Sequence, residues 1–179
     1  MSAADTAEET AAKPMTTAQV LKAYFTAHER KDIDAVAELW SEDGRGVIHG
    51  IAELNGAKDA RAYFSGLHAA FPDYKFEILD LAASGKQGAC RWRITGTFAG
   101  PGRFQGLAPT GAKITLEGCD MMRVEDGKVV AIDAYANGAE LAQQLGMLPS
   151  QGSFADRAVT SAFNAKTAAA NALRKLRES

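Results

Sequence analysis

Along KITLEGCDMMRVE, period-two alternation puts Ile114, Leu116, Gly118, Asp120, Met122 and Val124 on one face of a strand, so Asp120 interrupts an otherwise apolar stripe. An ionised carboxylate buried there without partners costs several kcal/mol or has its pKa driven upward. Asp120 must therefore be paired, held protonated as a hydrogen-bond donor, or set in the wall of a cavity. A neutral carboxyl facing a cavity can stabilise negative charge developing on a carbonyl oxygen, and such chemistry also needs a proton acceptor. The candidates are His49, on a predicted strand, and His28, near the end of the first predicted helix. Tyr24, one helical turn before His28, shares the face of that helix. Each residue also has a plainer reading: Asp120 as a structural acid bonded to backbone or to a histidine, Tyr24 as a boundary tyrosine with its hydroxyl in water, and His28 as a surface residue.

A second acid, Asp133, lies on the strand that pairs with the Asp120 strand. If Asp126-Gly127 is a two-residue turn, Asp120 and Asp133 face each other across the strands, and a carboxyl pair sharing one proton has one pKa strongly raised. If a three-residue turn carries a glycine bulge, Asp120 shares its face with Ile132 and Ala134, and Asp133 points away with Tyr135. The bulge is favoured, because it keeps Val130, Ile132, Ala134 and Ala136 on the apolar side.

The remaining patterns exclude more than they propose. The three histidines form no H-x-H or H-x-x-x-H pair, and Cys90 and Cys119 are far apart, so no metal is expected. The glycines of GTFAGPGRFQG precede no helix that could receive a phosphate, and they read as a flexible loop beside a pocket mouth. No cofactor is expected. The chain has 179 residues, is 46% hydrophobic and carries a net charge of −2, which fits one domain with flanking extensions and gives no basic field for nucleic acid or anionic lipid. No apolar run reaches membrane-spanning length, and the first residues have neither a basic nor an apolar leader segment. A cytoplasmic protein with two reduced, packed thiols is the expectation.

The elements that position these residues follow from periodicity. Residues 1–15 read as a disordered tail. Thr16 with Gln19 forms a capping box for a helix ending near Arg30, and Asp32 caps a short second helix carrying Ile33, Val36, Ala37 and Trp40. Asp43 to Gly46 reads as a glycine-rich break before a brief strand at Val47–Ile51. Asn55 caps a third helix, whose apolar side holds Phe64, Leu67, His68 and Phe71 and which Pro72 stops. Two long strands, the Asp120 hairpin, a helix from Gly138 to Leu145 and an Ala-rich helix from Ser153 to about Arg177 complete the order. Helices followed by an antiparallel meander predict an α+β layer fold, a curved sheet wrapped by N-terminal helices around a cone-shaped pocket. Residues 16–150 form this domain and residues 151–179 a helical extension. Phe154, Ala158, Ala162, Ala169, Leu173 and Leu176 give that last helix a thin apolar stripe, which predicts a homodimer.

Over roughly residues 17–150 the wording resembles the SnoaL-like polyketide cyclases of the NTF2-like superfamily. The resemblance rests on Lys31-Asp32 with Ala35 and Leu39, Ala70-Phe71-Pro72-Asp73, Pro109-Thr110-Gly111, Asp126-Gly127-Lys128 and Gln143-Gln144-Leu145-Gly146, in that order and spacing. A more distant similarity links it to the ketosteroid isomerases of the same superfamily, whose oxyanion hole pairs a helix-one tyrosine with a protonated aspartic acid. Tyr24 and Asp120 match those two residues, and the same comparison implies a cavity wall containing His28, Trp40, Phe64, Trp92, Ile132 and Ala136. His68, Phe71 and Met122 complete the expected substrate-contacting set.

The departures matter as much. The isomerases' catalytic base falls at Ile48, with His49 one residue later, and the histidine–aspartate pair of the cyclases' last hairpin falls at Asp120 and Ala134. Asn137 stands where many relatives carry an aspartate. The resemblance therefore implies a cofactor-independent aldol cyclase, isomerase or lyase acting on a small apolar carbonyl or aromatic compound, without transferring either mechanism whole. The opposing expectation is a non-catalytic ligand-binding or dimerisation module.

Overall fold

The computed structural model describes residues 13–177. The expected N-terminal tail therefore lies, for residues 1–12, outside the described residues. The elements run α1 (Thr17–Arg30), α2 (Ile33–Glu38), β1 (Trp40–Ile48), β2 (Ala52–Asn55), α3 (Gly56–Ala70), β3 (Lys75–Ser84), β4 (Gln87–Thr97), β5 (Lys113–Glu125), β6 (Lys128–Ala136), α4 (Gly138–Gln144) and α5 (Phe154–Arg177). The six strands form one curved, unclosed sheet in the order β2-β1-β6-β5-β4-β3, antiparallel except for the parallel pairing of β1 with β6. That parallel contact was not expected from the sequence, because it joins strands separated by most of the domain.

The capping box of α1 is formed as expected. The Thr16 hydroxyl accepts from the Gln19 N–H, while the Gln19 side chain accepts from the Thr16 N–H at 2.9 Å. Lys31, at φ 59°, ends the helix in the left-handed conformation. Val20, Leu21, Tyr24 and Phe25 face the sheet and are fully or nearly fully buried, each worth roughly 1.5–3 kcal/mol in transfer terms. Asp32 caps α2 by accepting from the Ala35 N–H at 3.0 Å. Asn55 precedes α3, but its side chain makes no cap bond, and its own N–H donates instead to the Asp59 carboxylate at 3.0 Å.

Two expectations are corrected. Trp40 is not on α2 but opens β1, and Asp43 to Gly46 lies within that strand rather than breaking it. The glycines serve the tryptophan: a Cβ on Gly46 would sit 2.6 Å from Trp40 Cη2, so the bare backbone makes room for the indole. The hairpin also differs in detail. Asp126 (φ 48°) and Gly127 (φ 75°) form a tight two-residue turn with Glu125 opposite Lys128, and the extra residue lies further along β6 at Val130. The bulge shifts the register so that Asp120 pairs with Ala134 and Met122 with Ile132, while Asp133 pairs with Met121 on the outer face. The carboxyls are separated as expected, by a bulge inside the strand rather than at its turn. Val129, instead of Val130, is the buried residue at the start of β6.

Asn137 Oδ1 caps α4 by accepting from the Glu140 N–H at 3.1 Å. The Gln144 amide then docks the helix on the stretch of β5 that runs past the end of β6: Thr115 N–H donates to Oε1 at 2.7 Å, and Nε2 donates to Thr115 O at 2.8 Å. Helix α5 starts with Ser153 Oγ accepting from the Asp156 N–H at 3.1 Å. None of its residues is buried, and Phe154, Val159, Phe163, Leu173 and Leu176 are all well exposed.

Candidate active site

The concave face of the sheet and helices α1, α3 and α4 enclose an apolar cavity of about 90 Å³. Its wall is built by His28 from α1, Ile48 from β1, Tyr63, Phe64 and Leu67 from α3, Trp92 and Ile94 from β4, Ile114 and Leu116 from β5, Ala136 from β6, and Leu141 and Leu145 on or just after α4. Ile51, Phe104, Leu141 and Leu145 also border a second hollow of about 380 Å³ that adjoins it. The glycine-rich loop supplies Phe104, which exchanges backbone hydrogen bonds with Leu107 across Gln105 and Gly106, both at positive φ, and which packs on Tyr63 and Phe71. The expected mouth loop thus takes a defined turn.

Asp120 projects from the inner face of β5 and is 9% exposed. Its Oδ1 accepts a hydrogen bond from Trp92 Nε1 at 2.8 Å. Burial pushes the carboxyl up to about 7, and the Trp92 bond works in the opposite direction by favouring the ionised form. Three tyrosines lie within the electrostatic reach of this acid: Tyr24, Tyr63 and Tyr74. Burial drives all three hydroxyls well above the usual tyrosine range, and the Asp120 charge adds to that shift, so they stay neutral donors. The buried Trp40 N–H makes no hydrogen bond among the described residues.

His28 sits in an aromatic cage. Its ring lies 4.7 Å from Tyr24, 4.5 Å from Phe64 and 5.4 Å from Phe76, centroid to centroid. Burial, helped by the charge of His68, lowers its pKa to about 3, so the imidazole is neutral. Among the described residues its nitrogens make no hydrogen bond, which leaves them available to a ligand in the cavity.

The structure brings some of the expected residues together and separates others. His28, Phe64, Phe71, Trp92 and Ala136 line the cavity. Asp120, Tyr24, Trp40, Met122 and Ile132 do not line it but are buried in the core behind its wall, so the expectation of Asp120 on the cavity surface is corrected: the Trp92 indole that it binds stands on the wall in its place. His68 packs on Tyr74 at 4.9 Å with Nε2 buried and unpartnered, and it does not reach the cavity. His49 lies elsewhere altogether. β1 ends at Ile48, which faces inward, and not at Ile51 as expected; His49, in the turn just after it, faces outward, bonds Asp133 Oδ1 at 3.0 Å and stacks on Tyr135 at 4.2 Å, with nearly half of each side chain of the pair exposed. The sequence reading missed Tyr63 and Tyr74. Tyr63 stands one turn before Leu67 and two before Phe71, and Tyr74 opens the period-two run Tyr74, Phe76, Ile78; those periods are the signals that would have found them.

Among the described residues no group of three histidine, cysteine or acidic side chains could hold a metal, and no helix is long and apolar enough to cross a membrane. Cys90 is buried, and burial pushes its thiol up to about 12.

The sequence model of the SnoaL-like polyketide cyclase family matches residues 18–145. Among solved structures, AclR of Streptomyces galilaeus, put forward as a hydroxylase, is 29% identical over 73% of this chain and 95% of its own, with a TM-score of 0.61. IdmH of Streptomyces antibioticus, put forward as a polyketide cyclase, is 22% identical over 74% of this chain and 99% of its own, with a TM-score of 0.60. A protein of Catenulispora acidiphila DSM 44928 with a ketosteroid isomerase-like fold, solved with trimethylamine, is 19% identical over 74% of this chain and 96% of its own, with a TM-score of 0.61. No curated protein sequence matches. The matched segment starts with α1 and runs just past α4, taking in the whole cavity and leaving out only the N-terminal residues and the exposed C-terminal helix, so the chain belongs to the SnoaL-like polyketide cyclase family.

Proposed function

We propose that this protein is a cofactor-independent acid–base enzyme of the aldol cyclase, isomerase or lyase type, acting on a small, largely apolar carbonyl or aromatic compound. The observation that carries this reading is Asp120, buried with one oxygen bonded and titrating near neutrality, at about 7. A group with that pKa is protonated often enough to donate and ionised often enough to take a proton back. Asp120 and Tyr24 stand directly behind the cavity wall, so a bound substrate must displace part of that wall before neutral Asp120 hydrogen-bonds the developing oxyanion; Tyr63 and Tyr74, neutral hydroxyls on the wall itself, are the supporting donors. His28 is the proton acceptor. Its low basicity in the apolar cage confines that role to the complex, where negative charge developing on the substrate raises its proton affinity. His49, on the outer face, takes no part in the step.

Proton exchange at the carbon next to a carbonyl, followed by NMR in heavy water over a panel of small enolisable aromatic ketones, tests the assignment. Asp120→Asn and Asp120→Ala are expected to slow exchange by about 100-fold or more. Unchanged turnover in both variants removes Asp120 from the mechanism.

The second reading, a non-catalytic ligand carrier, draws on the same cavity, where among the described residues His28, Tyr63, Tyr74 and Trp92 are the only lining residues with polar side-chain atoms. A ligand bound tightly and released unchanged would favour it. We also propose that the exposed apolar residues of α5 pack across a second copy in a homodimer. Light scattering should give a dimer for the full chain and a smaller assembly after truncation at Gly152; a monomer in both cases refutes it.

A further inference from the structure

Trp92 and Gly118 are directly paired across β4 and β5, and Asp120 is the diagonal neighbour on the same inner face. The indole leans along that diagonal. Its N–H meets Asp120 Oδ1 at 2.8 Å, while its ring forms part of the cavity wall and packs against Phe76 at 5.9 Å. Among the described residues Oδ2 has no hydrogen-bond partner. A carbonyl oxygen accepts a hydrogen bond better than the hydroxyl oxygen of the same acid, so a donor fixed on Oδ1 favours the form with the proton on Oδ2 and makes the two oxygens unequal. We propose that Trp92 is a positioning residue that holds the proton of Asp120 on Oδ2, and that it couples whatever lies against its ring in the cavity to the availability of that proton.

The inference rests on the reading of Asp120 as a proton donor and adds to it the group that orients the donor. Because the indole N–H can only donate, it cannot take the carboxyl proton, and it therefore favours the orientation in which Oδ1 is the carbonyl oxygen. It also sets where Asp120 titrates, by stabilising the ionised form against the effect of burial. The other titratable groups that feel the charge of the acid are Tyr24 on α1, Tyr63 on α3, Tyr74 before β3, Cys90 on β4 and, from the outer face of β5, Cys119. The shifts of all five are upward, which keeps them uncharged at neutral pH. Trp92 is thus the one neighbour whose contact with Asp120 is a defined hydrogen bond.

NMR titration of the full chain tests this without a substrate. Of the two indole N–H resonances, the one missing in Trp92→Phe belongs to Trp92. In the wild type it is expected to move through a transition at the same pH as the Asp120 carboxyl carbon, and to show no such transition in Asp120→Asn. In Trp92→Phe the Asp120 carboxyl should titrate higher by about one pH unit or more. An Asp120 titration unmoved by Trp92→Phe overturns the proposal. So does a wild-type Trp92 resonance that stays flat while the Asp120 carbon titrates, and this second measurement does not depend on the phenylalanine variant folding. Either result leaves the role of Asp120 itself to the exchange assay, so the two readings fail separately.

Discussion

Asp120→Asn is expected to be more stable than the parent protein, and its advantage should grow with pH. The folded-state pKa of Asp120, about 7, lies above its ordinary value of 3.8. Below about pH 4 the carboxyl is neutral in both folded and unfolded chains and burial carries no ionic penalty. As pH rises from 4 to 7 the unfolded chain ionises first, so stability is lost across that window and the full cost, roughly 4 kcal/mol, is present above it. Asparagine keeps an oxygen for the Trp92 N–H and has no charge to bury. Calorimetry should therefore find similar melting temperatures at pH 4 and a gap of about 10 °C at pH 8. A gap independent of pH would mean that the carboxylate is held ionised by partners.

His28 acts in the opposite direction. Its folded-state pKa, about 3, lies below the ordinary 6.5, so its contribution is present above pH 6.5 and is lost as pH falls towards 3. In the parent protein the two slopes oppose each other between pH 4 and 6.5. Removing the Asp120 slope should expose that of His28, with the stability of Asp120→Asn climbing through this range.

Much of this arrangement was legible in the sequence because it depends on local periodicity. The capping box at Thr16, the cap at Asp32 and the alternation that buries Asp120 among aliphatics are all decided by residues within one element. What the sequence could not supply was register between distant strands. The pairing of β1 with β6 turns Ile48 into the cavity and His49 out of it, and nothing within RGVIHG distinguishes that choice from its opposite. The same limit hid the partner of Asp120. Trp92 read as a core aromatic because its strand period is clear, but the contact depends on which β5 residue stands opposite. Gly44 and Gly46 misled for another reason: they looked like chain breakers, whereas their missing side chains are filled by the Trp40 indole.

Gly118 carries the same logic into the site, and Gly118→Ala should be among the most damaging small substitutions in the domain. A Cβ there would overlap the Trp92 six-membered ring and stand 2.6 Å from the carbonyl oxygen of Tyr135. The indole could move, but the neighbouring backbone is held in the β5–β6 ladder, so relief must come from displacing Trp92 or distorting the sheet. Overpacking of this kind costs roughly 1–3 kcal/mol, and loss of the Trp92–Asp120 hydrogen bond adds to it. Gly66→Ala provides the contrast. That glycine lies inside α3 with nothing within 4 Å of a new Cβ, so alanine should stabilise by up to about 1 kcal/mol through helix propensity. Parallel melting curves should separate the two variants by more than either differs from the parent. The Asp120 carboxyl should also titrate higher in Gly118→Ala, since the displaced indole no longer favours the ionised form. A Gly118→Ala protein with the parent's melting temperature and Asp120 titration would show that Trp92 is not seated against β5. The glycine thus sets the acid's proton affinity without touching it, by giving the indole the space from which its N–H reaches Asp120.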